Sequence, residues 1–217
     1  MYYFFYAIII IGGSMKKKDK KLDKLTTFGV ICLVFVITGF VGWVYEFIFY
    51  YLNSGMKTFY YRGSNFFPWI NIYATGSLLI YLLTRKFKKN PFLVFIISVI
   101  STGILEFLSG YFIYELLGER YWDYNTEIWN FGNIGGFVCL RSVLCFGLSG
   151  LLLMYLVIPK CVEIAKKSNK KMFLIITITL ASLVLFDELY NLMFARMLGL
   201  PRSNVIYRKL GFKYMKF

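Results

Sequence analysis

Five apolar segments separated by polar stretches constrain this chain more than any other feature of its sequence. They run over residues 27–52, 66–83, 92–117, 134–158 and 172–197. A transmembrane helix needs about 20 mostly apolar residues, and each segment is close to that length. With 59% hydrophobic and 21% aromatic residues, the chain is also more apolar than a soluble domain. We therefore predict an all-α fold, a polytopic membrane helix bundle with about five transmembrane helices.

The predicted bundle covers residues 27–198, and a basic stretch flanks it on each side. Residues 1–26 join an apolar start to six lysines between positions 16 and 24. The tail over residues 199–217 is basic and aromatic, which suits the membrane interface. Residues 1–14 fit two interpretations, translation from a start codon upstream of Met15 or an interfacial anchor, and the sequence leaves both open.

The distribution of lysine and arginine predicts the orientation of the bundle. The connections at 85–89 and 160–171 carry four and five basic residues, whereas the other two loops carry three between them. Because cytoplasmic loops are enriched in these residues, the amino terminus is predicted to be cytoplasmic. An odd number of spans then puts the basic tail on the outer side. Either the tail lies along the membrane interface, which we favour, or one segment is re-entrant.

The composition excludes several kinds of partner and site. A net charge of +14 would suggest nucleic acid in a soluble protein. Here the charges fall between apolar segments, so they indicate topology and headgroup contacts, with the lipid bilayer rather than nucleic acid as partner. Histidine, the commonest metal ligand and general base, does not occur. The four cysteines form no CxxC pair and no P-loop is present, so we predict no metal, cofactor or ATP site.

Charged residues inside the apolar segments point to a site. Glu46, Glu106, Arg141 and Asp187 all lie in predicted spans. A charged side chain at membrane depth costs roughly 3 to more than 10 kcal/mol, so such residues usually face protein or water. In the predicted topology all four fall in the outer half of the bundle. A single polar cavity opening outward is the economical explanation, because separate buried charges would each need a partner.

Helix geometry limits how these charges can meet. Glu106 and Glu115 are nine positions apart and face opposite ways on a continuous helix, which excludes a catalytic pair. We expect pairing between helices instead: Glu106 or Asp187 with Arg141, and Glu115 or Asp123 with Arg62. The alternative is that these are packing salt bridges that fix helix register. Gly103 and Gly110 flank Glu106 on one face, which would allow close helix packing there.

The motifs in the chain resemble those of the putative ABC-transporter type IV family, the CmpB-like permeases. The matching residues are Gly42-Trp43-Val44-Tyr45-Glu46, Arg62-Gly63, Pro68, Ile72-Tyr73, Leu105-Glu106, Trp122-Asp123-Tyr124 and Asn130-Phe131-Gly132. Their order and spacing run in register over residues 30–160. Asn71 and Ala74 depart from the family pattern, which has proline and glycine there. The resemblance implies a membrane permease with a substrate site near these motifs.

Three functions follow from these observations. The first is a transporter permease or substrate-binding membrane component with an outward-facing polar pocket, energised by a separate ATPase subunit. The alternatives are a membrane-embedded enzyme acting on a lipid or lipid-linked substrate, and a structural or regulatory membrane partner. The candidate substrate-binding residues are Glu46, Arg62, Tyr73, Glu106, Trp122, Asp123, Tyr124, Asn130, Arg141 and Asp187.

Overall fold

The computed structural model describes residues 22–63 and 65–213, and this part of the chain is a helical bundle. Its helices are α1 (Lys24–Asn53), α2 (Asn71–Thr84), α3 (Pro91–Leu117), α4 (Leu140–Lys167), α5 (Lys170–Met197) and α6 (Ser203–Lys209). Four of them, α1, α3, α4 and α5, are long and apolar enough to cross a membrane. The prediction of a helical membrane bundle is confirmed. Both interpretations of residues 1–14 concern positions outside the described residues.

Local sequence signals fix most helix ends. The side chain of Asp23 accepts a hydrogen bond from the backbone of the first turn of α1, and Asn90 does the same for α3. Pro91 occupies the first position of α3, where its missing N–H costs nothing. Gly118 ends α3 with a φ of 65°, a conformation that favours glycine. These signals place α1 and α3 close to the predicted bounds.

The second apolar segment does not form a full spanning helix. Its helix, α2, has 14 residues, about 21 Å at 1.5 Å per residue, whereas the hydrocarbon core is about 30 Å thick. The prediction of a transmembrane helix over residues 66–83 therefore fails at its start, because residues 66–70 are not helical. Helix α4 also begins later than predicted, because Gly135 and Gly136 form a turn closed by the Ile134–Val138 bridge.

A non-helical stretch and α2 together traverse the bundle a second time, and we call this path the second crossing of the bundle. We call residues 58–63 and 65–70 the entry segment. At its inner end the amide of Ile70 donates to the carbonyl of Gly39 at 3.1 Å, and Gly39 lies 14 residues, about 21 Å, before the end of α1. The indole of Trp69 lies against Gly39, where a Cβ atom would be 2.0 Å from Nε1. The crossing is thus irregular in one half and helical in the other.

The bundle has two chemically different ends. The loop end comprises residues 54–61, 118–139 and 198–213, and the basic end comprises residues 22–24, 85–90 and 166–171. The tail belongs to the loop end, because the amide of Tyr61 donates to the carbonyl of Lys213 at 2.8 Å and Arg202 pairs with Glu119 at 3.0 Å. This is the placement that an odd number of crossings requires.

Apolar packing joins four helices towards the basic end. The buried cluster there consists of Val30, Val34, Ile80, Leu153, Cys161, Ala165 and Phe173. Elsewhere α3 packs on α4, where a Cβ atom on Gly103 would lie 3.1 Å from Val143. Both α4 and α5 contain one π-helical turn, at Leu153–Val157 and Tyr190–Phe194. The buried charged side chains, Arg62, Glu106, Glu127 and Asp187, lie nearer the loop end.

Candidate functional site

Two cavities open in the bundle. The first, the loop-end cavity, has a volume of about 750 Å³ and lies among the entry segment, α3, α5 and the tail. The second, the α1–α4 groove, has a volume of about 310 Å³ and lies between α1 and α4 with α2 as its floor. Glu46, Ile72 and Trp122 line both. Where the sequence led us to expect one polar cavity, the structure has two cavities that share three lining residues.

Glu46 and Arg62 form the partition between the cavities. Arg62 is 6% exposed, and its Nε donates to Oε2 of Glu46 at 2.8 Å. Its guanidinium lies 3.9 Å from the centre of the Tyr50 ring. The hydroxyl of Tyr73 donates to the other oxygen of Glu46 at 3.2 Å. Pairing and hydrogen bonding together offset the cost of burying both charges.

Glu127 and Arg141 form a second buried ion pair at the head of the groove. The distance from Nη2 of Arg141 to Oε2 of Glu127 is 2.6 Å, and the hydroxyl of Tyr50 donates to the other carboxylate oxygen. The guanidinium also stacks 4.1 Å from the centre of the Phe49 ring. Burial raises the pKa of Glu127 above its ordinary value, although Tyr50 and Arg141 oppose that effect.

Glu127 did not emerge from the sequence as a candidate. It lies in a loop, where carboxylates are normally solvated, yet it is 6% exposed. Its aromatic surroundings in the sequence, Tyr124 and Trp129, are the one signal that could have indicated burial. Two further nitrogens of Arg141, Nε and Nη1, are buried and have no hydrogen-bond partner among the described residues. The guanidinium therefore retains hydrogen-bonding capacity beyond its pairing with Glu127.

Glu106 is bound by hydroxyl groups rather than by a cation. It is 4% exposed and accepts from the hydroxyl of Tyr124 and from Oγ of Ser142, the latter at 2.7 Å. Within the described part of the chain it makes no salt bridge. Trp122 closes over the same face of α3, where a Cβ atom on Gly110 would lie 2.9 Å from its ring. Because Gly110 has no side chain, the ring of Trp122 can pack against α3 one helical turn from Glu106.

The structure divides the predicted site residues into three groups. Those lining the loop-end cavity are Glu46, Arg62 and Trp122. Those lining the groove are Glu46, Tyr73, Glu106, Trp122, Tyr124 and Arg141. Those lining neither are Asp123, Asn130 and Asp187.

The third group makes contacts that hold the backbone. Asp187 accepts from the amides of Phe66 and Phe67 at 3.0 and 2.8 Å, so it caps the entry segment. Asp123 accepts from the amide of Asn125 at 3.0 Å. Asn130 donates to the carbonyl of Tyr124 at 2.9 Å and so fixes the loop that carries Tyr124.

The expected ion pairs are wrong in their partners. Arg62 pairs with Glu46 rather than with Glu115 or Asp123. Arg141 pairs with Glu127 rather than with Glu106 or Asp187. The reason is the entry segment, which carries Arg62 into the bundle beside α1. Glu115 stays exposed on α3.

Further charged residues line the loop-end cavity and escaped the sequence argument. Glu119 accepts two hydrogen bonds from Arg202, both 3.0 Å long, and a third from Arg196 at 2.7 Å. The hydrogen bonds from Arg202 are the main reason that the pKa of Glu119 is lowered. Glu188 accepts from Nδ2 of Asn65 at 2.9 Å. These contacts join the tail and α5 to the cavity wall.

Comparison with known proteins gives one match. The model of the family described as Putative ABC-transporter type IV matches residues 33–192. This range covers well over half of the chain and includes every residue that lines the groove. No curated protein and no solved structure matches. The chain belongs to this family, as its motifs indicated.

Proposed function

We propose that this member of the ABC-transporter type IV family is a substrate-binding membrane component of a transporter, and that its solute binds in the loop-end cavity. The carrying observation is the entry segment, a non-helical stretch that runs about 21 Å into the bundle alongside α1. Such backbone is tolerated at membrane depth only where protein buries it or a water-filled cavity adjoins it. Interrupted helices of this kind form the substrate sites of many transporters.

The backbone of the entry segment is hydrogen-bonded to its surroundings, which makes it a defined wall. Asp187 accepts from two of its amides, and the indole of Trp43 donates to the carbonyl of Arg62 at 3.1 Å. The hydroxyl of Tyr207 donates to the carbonyl of Phe66 at 2.8 Å. A wall anchored to α1, α5 and the tail can present fixed polar groups to a solute.

The polar groups of the cavity favour an uncharged or zwitterionic polar solute. Its ion pairs, Arg62 with Glu46 and Arg202 with Glu119, are formed within the protein. The hydrogen-bonding side chains that share the lining include Asn65, Asn71, Thr75, Ser109 and Asn204. Oδ1 of Asn65 and of Asn204 are buried without a hydrogen-bond partner in the described part of the chain. Both oxygens could accept from a donor on the solute.

We place the basic end in the cytoplasm, where a separate ATPase subunit would bind. Lysine-rich connections belong on that side of a membrane. The connection between α4 and α5 carries five lysines over residues 160–171 and offers such a subunit a docking point. Copurification under mild extraction tests this partnership. Repeated extraction without any ATPase would count heavily against it.

Cysteine labelling tests whether the cavity is open to water and to which side. Ser109→Cys places a thiol in the loop-end cavity, and Lys166→Cys places one at the basic end. In a chain with Cys145→Ser, a membrane-impermeant maleimide applied to intact cells should label Ser109→Cys and leave Lys166→Cys unlabelled. Labelling in the reverse pattern would invert the orientation. No labelling of Ser109→Cys even in detergent would contradict a solute cavity.

A further inference from the structure

The α1–α4 groove has the shape of a site for an amphiphile. Its walls are α1 and α4, which approach each other at the hydroxyl of Tyr45 and the sulfur of Cys145, 3.9 Å apart. The groove's lining on α1 extends from Ile37 to Tyr50, about 20 Å along the helix axis. Exposed side chains form both rims, among them Val41, which is 57% exposed, and Leu156, which is 47% exposed. The groove therefore opens sideways, towards the lipid.

The two ends of the groove differ in polarity. The end towards the middle of the bundle is mostly apolar and is lined by Ile37, Val41, Ile80, Leu152, Leu153, Leu156 and Val157. Its hydroxyl groups include those of Thr38 and Ser77, which are hydrogen-bonded to each other at 2.8 Å. The other end is polar and is lined by Glu46, Tyr50, Glu106, Tyr124, Glu127, Arg141 and Ser142. Tyr50 is three residues from the end of α1, so the polar end lies about 5 Å below it. This is the order in which a lipid presents its head and its acyl chain.

The charges at the polar end are complementary to a zwitterionic head. Glu106 is buried with two hydroxyl partners and makes no salt bridge with the described residues, so it could bind a cation. Arg141 keeps two nitrogens without a partner in the same set of residues, so it could donate to an anion. Tyr124 connects the two groups, with its hydroxyl on Glu106 and its ring 5.4 Å from the guanidinium of Arg141.

We propose that the α1–α4 groove binds a bilayer phospholipid whose head carries a phosphate and an ammonium group, with the phosphate on Arg141 and the ammonium on Glu106. Arginine binds phosphate through charge-assisted hydrogen bonds. A purely anionic head would leave Glu106 without a cation and add repulsion from Glu46 and Glu127. This site adjoins the proposed solute cavity at Glu46, Ile72 and Trp122, but the proposal for it does not depend on the proposed function.

Native mass spectrometry of the full chain tests the proposal directly. The protein is delipidated in detergent and given equal amounts of dioleoyl phosphatidylethanolamine and dioleoyl phosphatidylglycerol. We expect the ethanolamine lipid to be bound in about tenfold excess, which corresponds to about 1.4 kcal/mol and is on the scale of one hydrogen bond to a charged group. Equal binding, preference for the glycerol lipid or no binding of either would overturn the proposal.

Two matched tryptophan variants locate the bound lipid. Ser149 is exposed and lines only the groove, whereas Ser109 lines only the loop-end cavity. Ser149→Trp should abolish most lipid binding, and Ser109→Trp should leave it unchanged. If Ser149→Trp elutes as aggregate, Leu156→Trp at the apolar end replaces it. Lipid binding that survives in the folded groove variant would refute the assignment.

Glu106→Gln tests the ammonium contact by itself. Glutamine keeps the size of the side chain and can hydrogen-bond to Tyr124 and Ser142, but it removes the negative charge. We expect the preference for the ethanolamine lipid to fall from about tenfold towards equality, while total lipid binding persists. An unchanged preference in the folded variant would show that Glu106 does not contact the head. Because solute labelling uses a different cavity, failure here leaves the proposed transport role to its own test.

Discussion

The two halves of the bundle are stabilised in different ways. Near the basic end, α1, α2, α4 and α5 meet in an apolar cluster that includes Val34, Ile80 and Leu153. Near the loop end, the same helices are separated by two cavities and are joined through ion pairs such as Glu46 with Arg62. Apolar packing is adaptable and tolerates small losses. Removing one partner of a buried ion pair leaves an uncompensated charge, which lowers the stability of the fold strongly.

This difference indicates which half of the bundle offers a ligand polar contacts. Of the apolar cluster, Val34, Ala165 and Phe173 line neither cavity and offer a ligand no polar contact, whereas Ile80 and Leu153 also line the apolar end of the groove. The loop-end half tolerates unpaired hydrogen-bonding groups on Arg141 and Asn65, which are the groups a ligand would use. Substitutions in the two halves should therefore change stability by unequal amounts, and four experiments test this, from the largest expected effect to the smallest.

Removing Arg62 from its ion pair with Glu46 should have the largest effect on stability. Arg62→Met leaves the carboxylate of Glu46 buried beside Tyr50, so we expect a loss of about 3–5 kcal/mol of unfolding free energy. Unfolding in detergent with increasing dodecyl sulfate measures it. Adding Glu46→Gln should recover part of the loss, because the unpaired charge is gone. Strictly additive losses would mean that the pair contributes no coupling.

Loss of one cap on the entry segment should have the next largest effect. Asp187→Asn replaces one acceptor with a donor that faces the amide of Phe66 or Phe67, and one unsatisfied amide costs about 1–3 kcal/mol. The same unfolding assay applies. Glu115→Gln, on the exposed face of α3, is the control and should change stability by less than about 0.5 kcal/mol. Equal effects of the two variants would contradict the capping role.

Shortening one side chain of the basic-end cluster should reduce the unfolding free energy by less than either of these two changes. Ile80→Val removes one methylene group from a side chain that is 2% exposed, for an expected loss of about 0.5–1.5 kcal/mol. Ile104→Val is the matched control, since Ile104 is 56% exposed on α3 and its loss should be smaller. A loss at Ile80 as large as that of Arg62→Met would remove the contrast between the two halves.

The smallest expected effect is a pH dependence at the tail. Hydrogen bonds from Arg202 lower the pKa of Glu119 in the folded chain, so their stabilisation is present above the ordinary carboxyl pKa and is lost as the pH falls through the lowered one. Because the pair is partly exposed, we expect about 1 kcal/mol or less. Hydrogen exchange of α6 at neutral and acidic pH measures it. In Glu119→Gln this dependence should disappear.

Much of the fold could be predicted because its signals are local. Asp23, Asn90 and Pro91 mark where helices begin and Gly118 marks where one ends, through contacts within a few residues. The length of the apolar segments identifies the spans. The prediction of a helix failed at residues 66–70 because a contact with a distant part of the chain decides the conformation there. Trp69 is apolar and suits a helix by composition, but its ring fills the space above Gly39 of another helix. No periodicity within the segment reports that contact.

The types of residue in the site could be predicted from the sequence, but the ion-pair partner of each charged residue could not. A carboxylate in an apolar segment must be satisfied, so Glu46 and Glu106 could be singled out from the sequence. Which cation each one meets depends on how the entry segment and the loop between α3 and α4 fold back. Glu127 lies in that loop, and its burial follows from Tyr50 and Arg141 on two distant elements.

The sequence by itself determined that this protein is a helical membrane bundle with charges that require compensation, because hydrophobic length and the cost of burying charge are properties of single segments. It also carried the motifs that place the chain in its family. Only the tertiary structure decided that the second crossing is half irregular and that the polar interior consists of two cavities. Both depend on contacts between residues far apart in the chain, where the geometry of several elements jointly decides which hydrogen bonds can form.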